Sequence, residues 1–144
     1  MVFNIPLVLL IISTFSVVLL IFYVLSKRPL VQLQKSFLAM LTCVFIISIG
    51  VLLQDILTNI IDIDEIYFEY FIYIGTCFLP VTVFFTALIF KNTKIKFEKK
   101  YLLLFVIPII SLLVLWTNDF HHLFFVKFSS IINVEIVGPY FYLH

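Results

Sequence analysis

Four long apolar runs limit what this chain can fold into, because they leave almost nothing with which to build a water-facing shell. They extend from Ile5 to Leu25, about Leu33 to Leu57, about Ile66 to Phe90 and about Tyr101 to Trp116. A hydrocarbon core of about 30 Å takes roughly 20 helical residues at ~1.5 Å each. The first three runs reach that length and the fourth is short. Of the 144 residues, 64% are hydrophobic and only 12% are charged, against roughly 25% charged in soluble domains. The solvent for most of this surface must therefore be lipid. The expected fold is all-α: a polytopic helical membrane protein with four transmembrane helices, about 5–25, 33–57, 66–90 and 101–116, followed by an outer segment, 117–144.

The first run does not read as a cleaved signal peptide, which would begin with a basic region and hold a shorter apolar core. Here no Lys or Arg precedes the run, and Lys27 and Arg28 follow it. Lys and Arg are retained on the cytoplasmic side of a membrane. Lys27, Arg28 and Lys35 flank the first connection, and Lys91, Lys94, Lys96, Lys99 and Lys100 flank the third. The second connection carries Asp62, Asp64, Glu65 and Glu69 instead, and the last segment sets Asp119 and Glu135 against Lys127. The alternation predicts an extracytoplasmic N-terminus in an inner or plasma membrane. A formal net charge of +1, with no basic face for phosphates to meet, argues against nucleic acid. The lipid bilayer is the expected partner.

Polar residues are scarce enough to weigh one by one. His121 and His122 close the fourth run, where the chain reads "LWTNDFHHLFF". Neighbouring residues point about 100° apart on a helix and to opposite faces of a strand, so the pair cannot simply close on one ion. Zinc takes about four ligands near 2.0 Å, and the nearest recruits are Asp119, Glu135 and His144. No metal site and no cofactor is expected. Proton sensing is the other sharp reading. The leading one has one histidine hydrogen-bonded into the outer loop and the other facing water or headgroups. Thr117, Asn118 and Asp119 read as a helix terminus and turn at the interface marked by Trp116.

Pro80 removes a backbone donor in mid-span and is the candidate for a bend that opens a cavity, with Gly75 and Thr76 permitting close approach nearby. Pro108 lies too near the start of its run to imply a kink. Asp55 is an ionisable group near membrane depth, but Thr58, Asn59 and Asp62 follow it, which favours a place at the rim. Cys43 and Cys77 fall near mid-membrane and read as small apolar fillers.

Beyond Trp116 the chain is too broken by polar residues for another span. Gly138 and Pro139 punctuate a turn, and Tyr140, Phe141 and Tyr142 resemble an interfacial belt leading to a fifth helix. The expectation is a fragment or a truncated product.

These residues also carry a family resemblance. "IPIISLLVLWTNDFHHLFF" followed by "GPYFYLH" resembles the N-terminal seven-transmembrane sensor region of bacterial histidine kinases, also found on diguanylate cyclases. Thr117, Asn118, His122, Leu123, Gly138, Pro139, Phe141 and His144 match the family's positions. In the third run, "YIGTCFLPVTVFFTALIF", Gly75, Pro80 and Phe90 match.

The resemblance implies a signal-receiving region whose Asn-His segment packs against the Gly-Pro turn as an outer cap. It also implies a cytoplasmic output stage beyond a seventh helix and a homodimer in the full-length form. The signal would be an unidentified small molecule or a membrane cue. Ligand or signal candidates are Asn118, His121, His122, Gly138, Pro139, His144, Asp55 and Pro80. With no nucleotide loop, phosphoacceptor helix or catalytic constellation, the chain is not expected to be an enzyme by itself. The alternatives are a small transporter or channel component, disfavoured because the helix centres lack charge, and a non-functional truncation product.

Overall fold

The computed structural model describes residues 5–27, 29–61, 66–92, 98–127 and 136–143. Three long helices, α1 (Ile5–Ser26), α2 (Gln32–Ile61) and α3 (Ile66–Asn92), are each long and apolar enough to cross a bilayer. Their hydroxyls are satisfied locally: Thr14 donates to the Leu10 carbonyl at 2.8 Å, Ser16 to Ile12 at 2.8 Å and Thr42 to Leu38 at 2.9 Å. In lipid, where water cannot take those bonds, this is what lets Ser and Thr sit within a span. α2 continues through Ile61, beyond the boundary near Leu57 that its apolar run suggested.

The fourth span is built differently from the expected α-helix over 101–116. It starts as a 3-10 helix, Lys99–Phe105, and becomes α-helical only in α4, Val106–Trp116. Pro108 gives the reason: it has no N–H for the carbonyl four residues back, and its ring crowds that carbonyl. The chain upstream takes the tighter pattern, with the Val106 N–H bonding the Leu103 carbonyl. The change also lengthens the segment. At ~2.0 Å per 3-10 residue and ~1.5 Å per α residue, Tyr101 to Trp116 extends about 27 Å, close to the hydrocarbon thickness despite its few residues.

α2 and α3 form the tightest seam. Ser36 and Thr86 hydroxyls lie 2.8 Å apart near one end, and Gln54 Nε2 reaches Glu69 Oε1 at 3.5 Å near the other. Between them Gly75 sits directly on the α2 backbone: a Cβ there would lie 2.7 Å from the Cys43 carbonyl oxygen and 2.7 Å from Ile47 Cγ1. Such small-residue contacts let helices approach where no hydrophobic effect drives them together. Gly50, which the sequence did not single out, answers from α2 by packing beside Ile72. Cys43 and Cys77 are both buried as free thiols.

α1 flanks α2 and buries only Val17 and Val24; Leu9, Ile12, Phe15, Leu19 and Phe22 are exposed, as befits a lipid-facing helix. On the other side α3 meets the fourth span through aromatic rings. Phe85 stacks on Phe105 at 5.9 Å between centroids and meets Tyr101 edge-on at 5.6 Å.

After α4 come a single helical turn, α5 (Asn118–His121), two short strands, β1 (Phe125–Lys127) and β2 (Ile136–Val137), and a 3-10 turn over Pro139–Leu143. β1 and β2 pair antiparallel, with Phe125 opposite Val137. This small ribbon is a departure from helix that the sequence left unassigned.

Candidate functional site

The best-built polar structure lies where α4 leaves the membrane. Thr117 continues the helical pattern with its N–H on the Leu113 carbonyl at 3.0 Å and its hydroxyl on the same carbonyl at 2.6 Å. α5 then turns the chain, and the His122 N–H closes it on the Asn118 carbonyl at 2.8 Å. His122 itself is left-handed, with φ 50° and ψ 30°. A left-handed residue reverses the chain after a helix, and here it brings Phe124 and Phe125 back beneath Asn118.

Asn118 is 3% exposed. Its Oδ1 accepts from the N–H groups of Phe124 at 2.8 Å and Phe125 at 2.9 Å, and its Nδ2 donates to the Phe125 carbonyl at 2.9 Å. Three backbone groups that would otherwise be buried without partners are thus satisfied by one side chain. The amide is engaged on both of its atoms by the fold, which leaves little of it for a ligand.

Gly138 locks the other strand. Its N–H donates to the Phe124 carbonyl at 2.7 Å, and the Tyr140 N–H to the Leu123 carbonyl at 3.0 Å. A Cβ at position 138 would collide with the Leu123 carbonyl and lie 2.8 Å from the His122 carbonyl oxygen. Pro139 follows on the surface and opens the closing 3-10 turn, a first-turn position where its fixed φ fits and its missing N–H costs nothing.

Inside this frame Leu115, Phe124 and Phe125 form a buried cluster, 0–2% exposed, against Tyr70 and Tyr73 of α3 and Val137, Tyr140 and Phe141 of the outer segment. Tyr73 meets Phe124 edge-on at 5.1 Å, and Phe141 meets it edge-on at 5.7 Å, the geometry aromatic quadrupoles prefer. Ser111, wholly buried on α4, lies 3.3 Å from the Tyr140 hydroxyl. The cap is thereby tied to two spans.

The histidines separate as their spacing implied. His121 is half-buried and turned back on the helix: its Nδ1 accepts the Leu123 N–H at 3.1 Å, and its Nε2 lies 3.0 Å from Thr117 Oγ1. The Thr117 proton is already given to Leu113, so in this contact Nε2 is the donor and Thr117 Oγ1 accepts. His122 is exposed. Asp119 lies close to the buried Tyr70 hydroxyl of α3. Among the described residues no group of three or more His, Cys, Asp or Glu could hold a metal ion.

Two candidates lie elsewhere. Asp55 is half-buried on α2, next to Gln54, whose amide reaches Glu69. Pro80 is exposed in mid-α3 and borders an apolar cleft of about 280 Å³ shared with Phe84, Leu104 and Pro108. His144 lies outside the described residues. The cap thus gathers Asn118, His121, His122, Gly138 and Pro139 and leaves out Asp55 and Pro80. Sequence reasoning missed Tyr70 and Tyr73, whose role depends on which face of α3 meets the outer segment.

Residues 9–144 match the family model of the N-terminal 7TM region of histidine kinase. The chain belongs to this family. No curated protein and no solved structure matches it. For this histidine-kinase 7TM region, Thr117, Asn118, His122, Leu123, Gly138, Pro139 and Phe141 converge in one cap, while Gly75, Pro80 and Phe90, which also carried the resemblance, lie along α3. Three spanning-length helices and a 7TM family make it a multi-pass membrane protein.

Proposed function

We propose that this region receives a signal at the cap and passes it through the helices toward a kinase output module on the cytoplasmic side. The observation that carries the reading is the cap itself: Asn118 and Gly138 clamp the exit of α4, while Phe124 presses on Tyr73 of α3. A displacement of the outer segment is therefore felt by two spans at once. Membership of the histidine-kinase 7TM family supports the same role.

In this reading the end bearing Lys27, Lys35, Lys91 and Lys99 faces the cytoplasm, with α1 starting outside, in the inner or plasma membrane of a bacterium. The full-length protein works in a two-component system as a homodimer, and the kinase chemistry belongs to the output module rather than to these helices.

The test is autophosphorylation of the complete receptor in membrane vesicles. Gly138→Val should shift basal output several-fold while the purified cytoplasmic module keeps its wild-type rate. A receptor whose output is indifferent to Gly138→Val and Asn118→Ala would remove the cap from the signalling path.

A further inference from the structure

A cavity among the described residues lies at the opposite end from the cap. It is a groove of about 470 Å³ between the start of α2, the end of α3 and the 3-10 segment, within the roughly 300–1,000 Å³ typical of ligand sites. Gln32, Lys35 and Ser36 stand at its mouth, and Ala39, Phe85 and Phe105 wall it. On α3 it reaches from Ile89 to Thr82, two helical turns or about 10 Å into the apolar layer. Its charged lining residue, Lys35, is exposed three residues into α2, while Thr82 at the deep end gives its hydroxyl to the Leu79 carbonyl at 2.9 Å. From its position the Lys35 ammonium reaches the headgroup layer by extending along the helix.

We propose that this groove is a binding site for an anionic membrane phospholipid, with a phosphate oxygen on Lys35 and one acyl chain lying along Phe85 and Phe105. The division of the groove fixes the class of occupant. A purely apolar molecule would leave the polar mouth unused, and a wholly polar one would face aromatic walls. A lipid phosphate supplies the counter-charge and the tail from one molecule already present in the bilayer. The site stands whether or not the cap relays a signal.

Native mass spectrometry of the whole chain, released from nanodiscs of mixed phosphatidylglycerol and phosphatidylcholine, tests it. Wild type should retain one phosphatidylglycerol in preference to phosphatidylcholine. Lys35→Gln should lower that retention about fivefold, the effect of ~1 kcal/mol for one juxtamembrane cation. Ala39→Trp should abolish it by filling the groove. Lys99→Gln, which removes an equal charge outside the groove, should change it little, and circular dichroism should report unchanged helix content in all three variants. Equal retention of the two lipids, equal loss from Lys35→Gln and Lys99→Gln, or undiminished retention in Ala39→Trp would each overturn the proposal. So would a lipid-free dimer that Ala39→Trp dissociates, which would assign the groove to a second copy.

Discussion

Gly138 lies so close to the Leu123 carbonyl that no side chain fits between them. The two strands of the outer segment are held by that approach, with the Gly138 N–H on Phe124 and the Tyr140 N–H on Leu123. Gly138→Ala must push the ribbon apart against main-chain atoms that cannot rotate away. A loss of about 1–3 kcal/mol is expected, read from chemical unfolding in micelles by the fluorescence of Trp116, the chain's single tryptophan.

Asn118→Ala should cost more. It strips partners from the Phe124 and Phe125 N–H groups and from the Phe125 carbonyl, and a buried unsatisfied group costs about 1–3 kcal/mol. A total of roughly 3 kcal/mol or more is expected from the same unfolding measurement. Asn118→Asp keeps both acceptor bonds but turns an oxygen toward the Phe125 carbonyl, so it should fall between Ala and wild type.

The adjacent histidines should respond in opposite directions. His122→Gly relieves a left-handed backbone and is expected to stabilise the cap by about 0.5–1 kcal/mol. His121→Phe removes the bonds to Thr117 and Leu123 and should destabilise it by about 1–2 kcal/mol. Amide hydrogen exchange at Leu123 distinguishes them: faster in His121→Phe, slower in His122→Gly.

On the α2–α3 seam, Gly75→Leu places a side chain against the Cys43 carbonyl and should part the helices, reported by modification of Cys77 with a small permeant thiol reagent. The Ser36–Thr86 pair should show a double-mutant coupling of about 0.6 kcal/mol, typical of hydrogen bonds between membrane helices.

Orientation is read by labelling intact cells with a membrane-impermeant maleimide. Asp119→Cys should react at once, and Lys99→Cys only after permeabilisation. Cys43 and Cys77 are buried and should stay silent. The reverse pattern would invert the assignment of the two ends.

Periodic polarity was not needed to find the spans, because long charge-poor runs leave helices as the only way to satisfy the backbone in lipid. The loop lysines and carboxylates likewise alternate along the sequence from one connection to the next. Asn118, Gly138 and Pro139 stood out as residue types that serve turns and close approaches, and they meet in the cap. What escaped notice depends on partners distant in sequence. Gly50 matters only once α3 sets Ile72 against it, and Tyr73 only once the outer segment delivers Phe124. The left-handed turn at His122 is invisible because, although histidine visits that region more often than most side chains, only a small minority of histidines do so. The 3-10 start of the fourth span escaped for another reason: "KKYLLLF" is equally compatible with either helix, and the choice is made downstream at Pro108.

That 3-10 start sets both the length and the rotational phase of the fourth span. Rewinding the seven residues of Lys99–Phe105 into α-helix would shorten the segment by about 3.5 Å and turn one end against the other by about 140°, at ~0.5 Å and ~20° per residue. A span of this kind is a screw thread between the two faces of the membrane, with a pitch written into its hydrogen bonds.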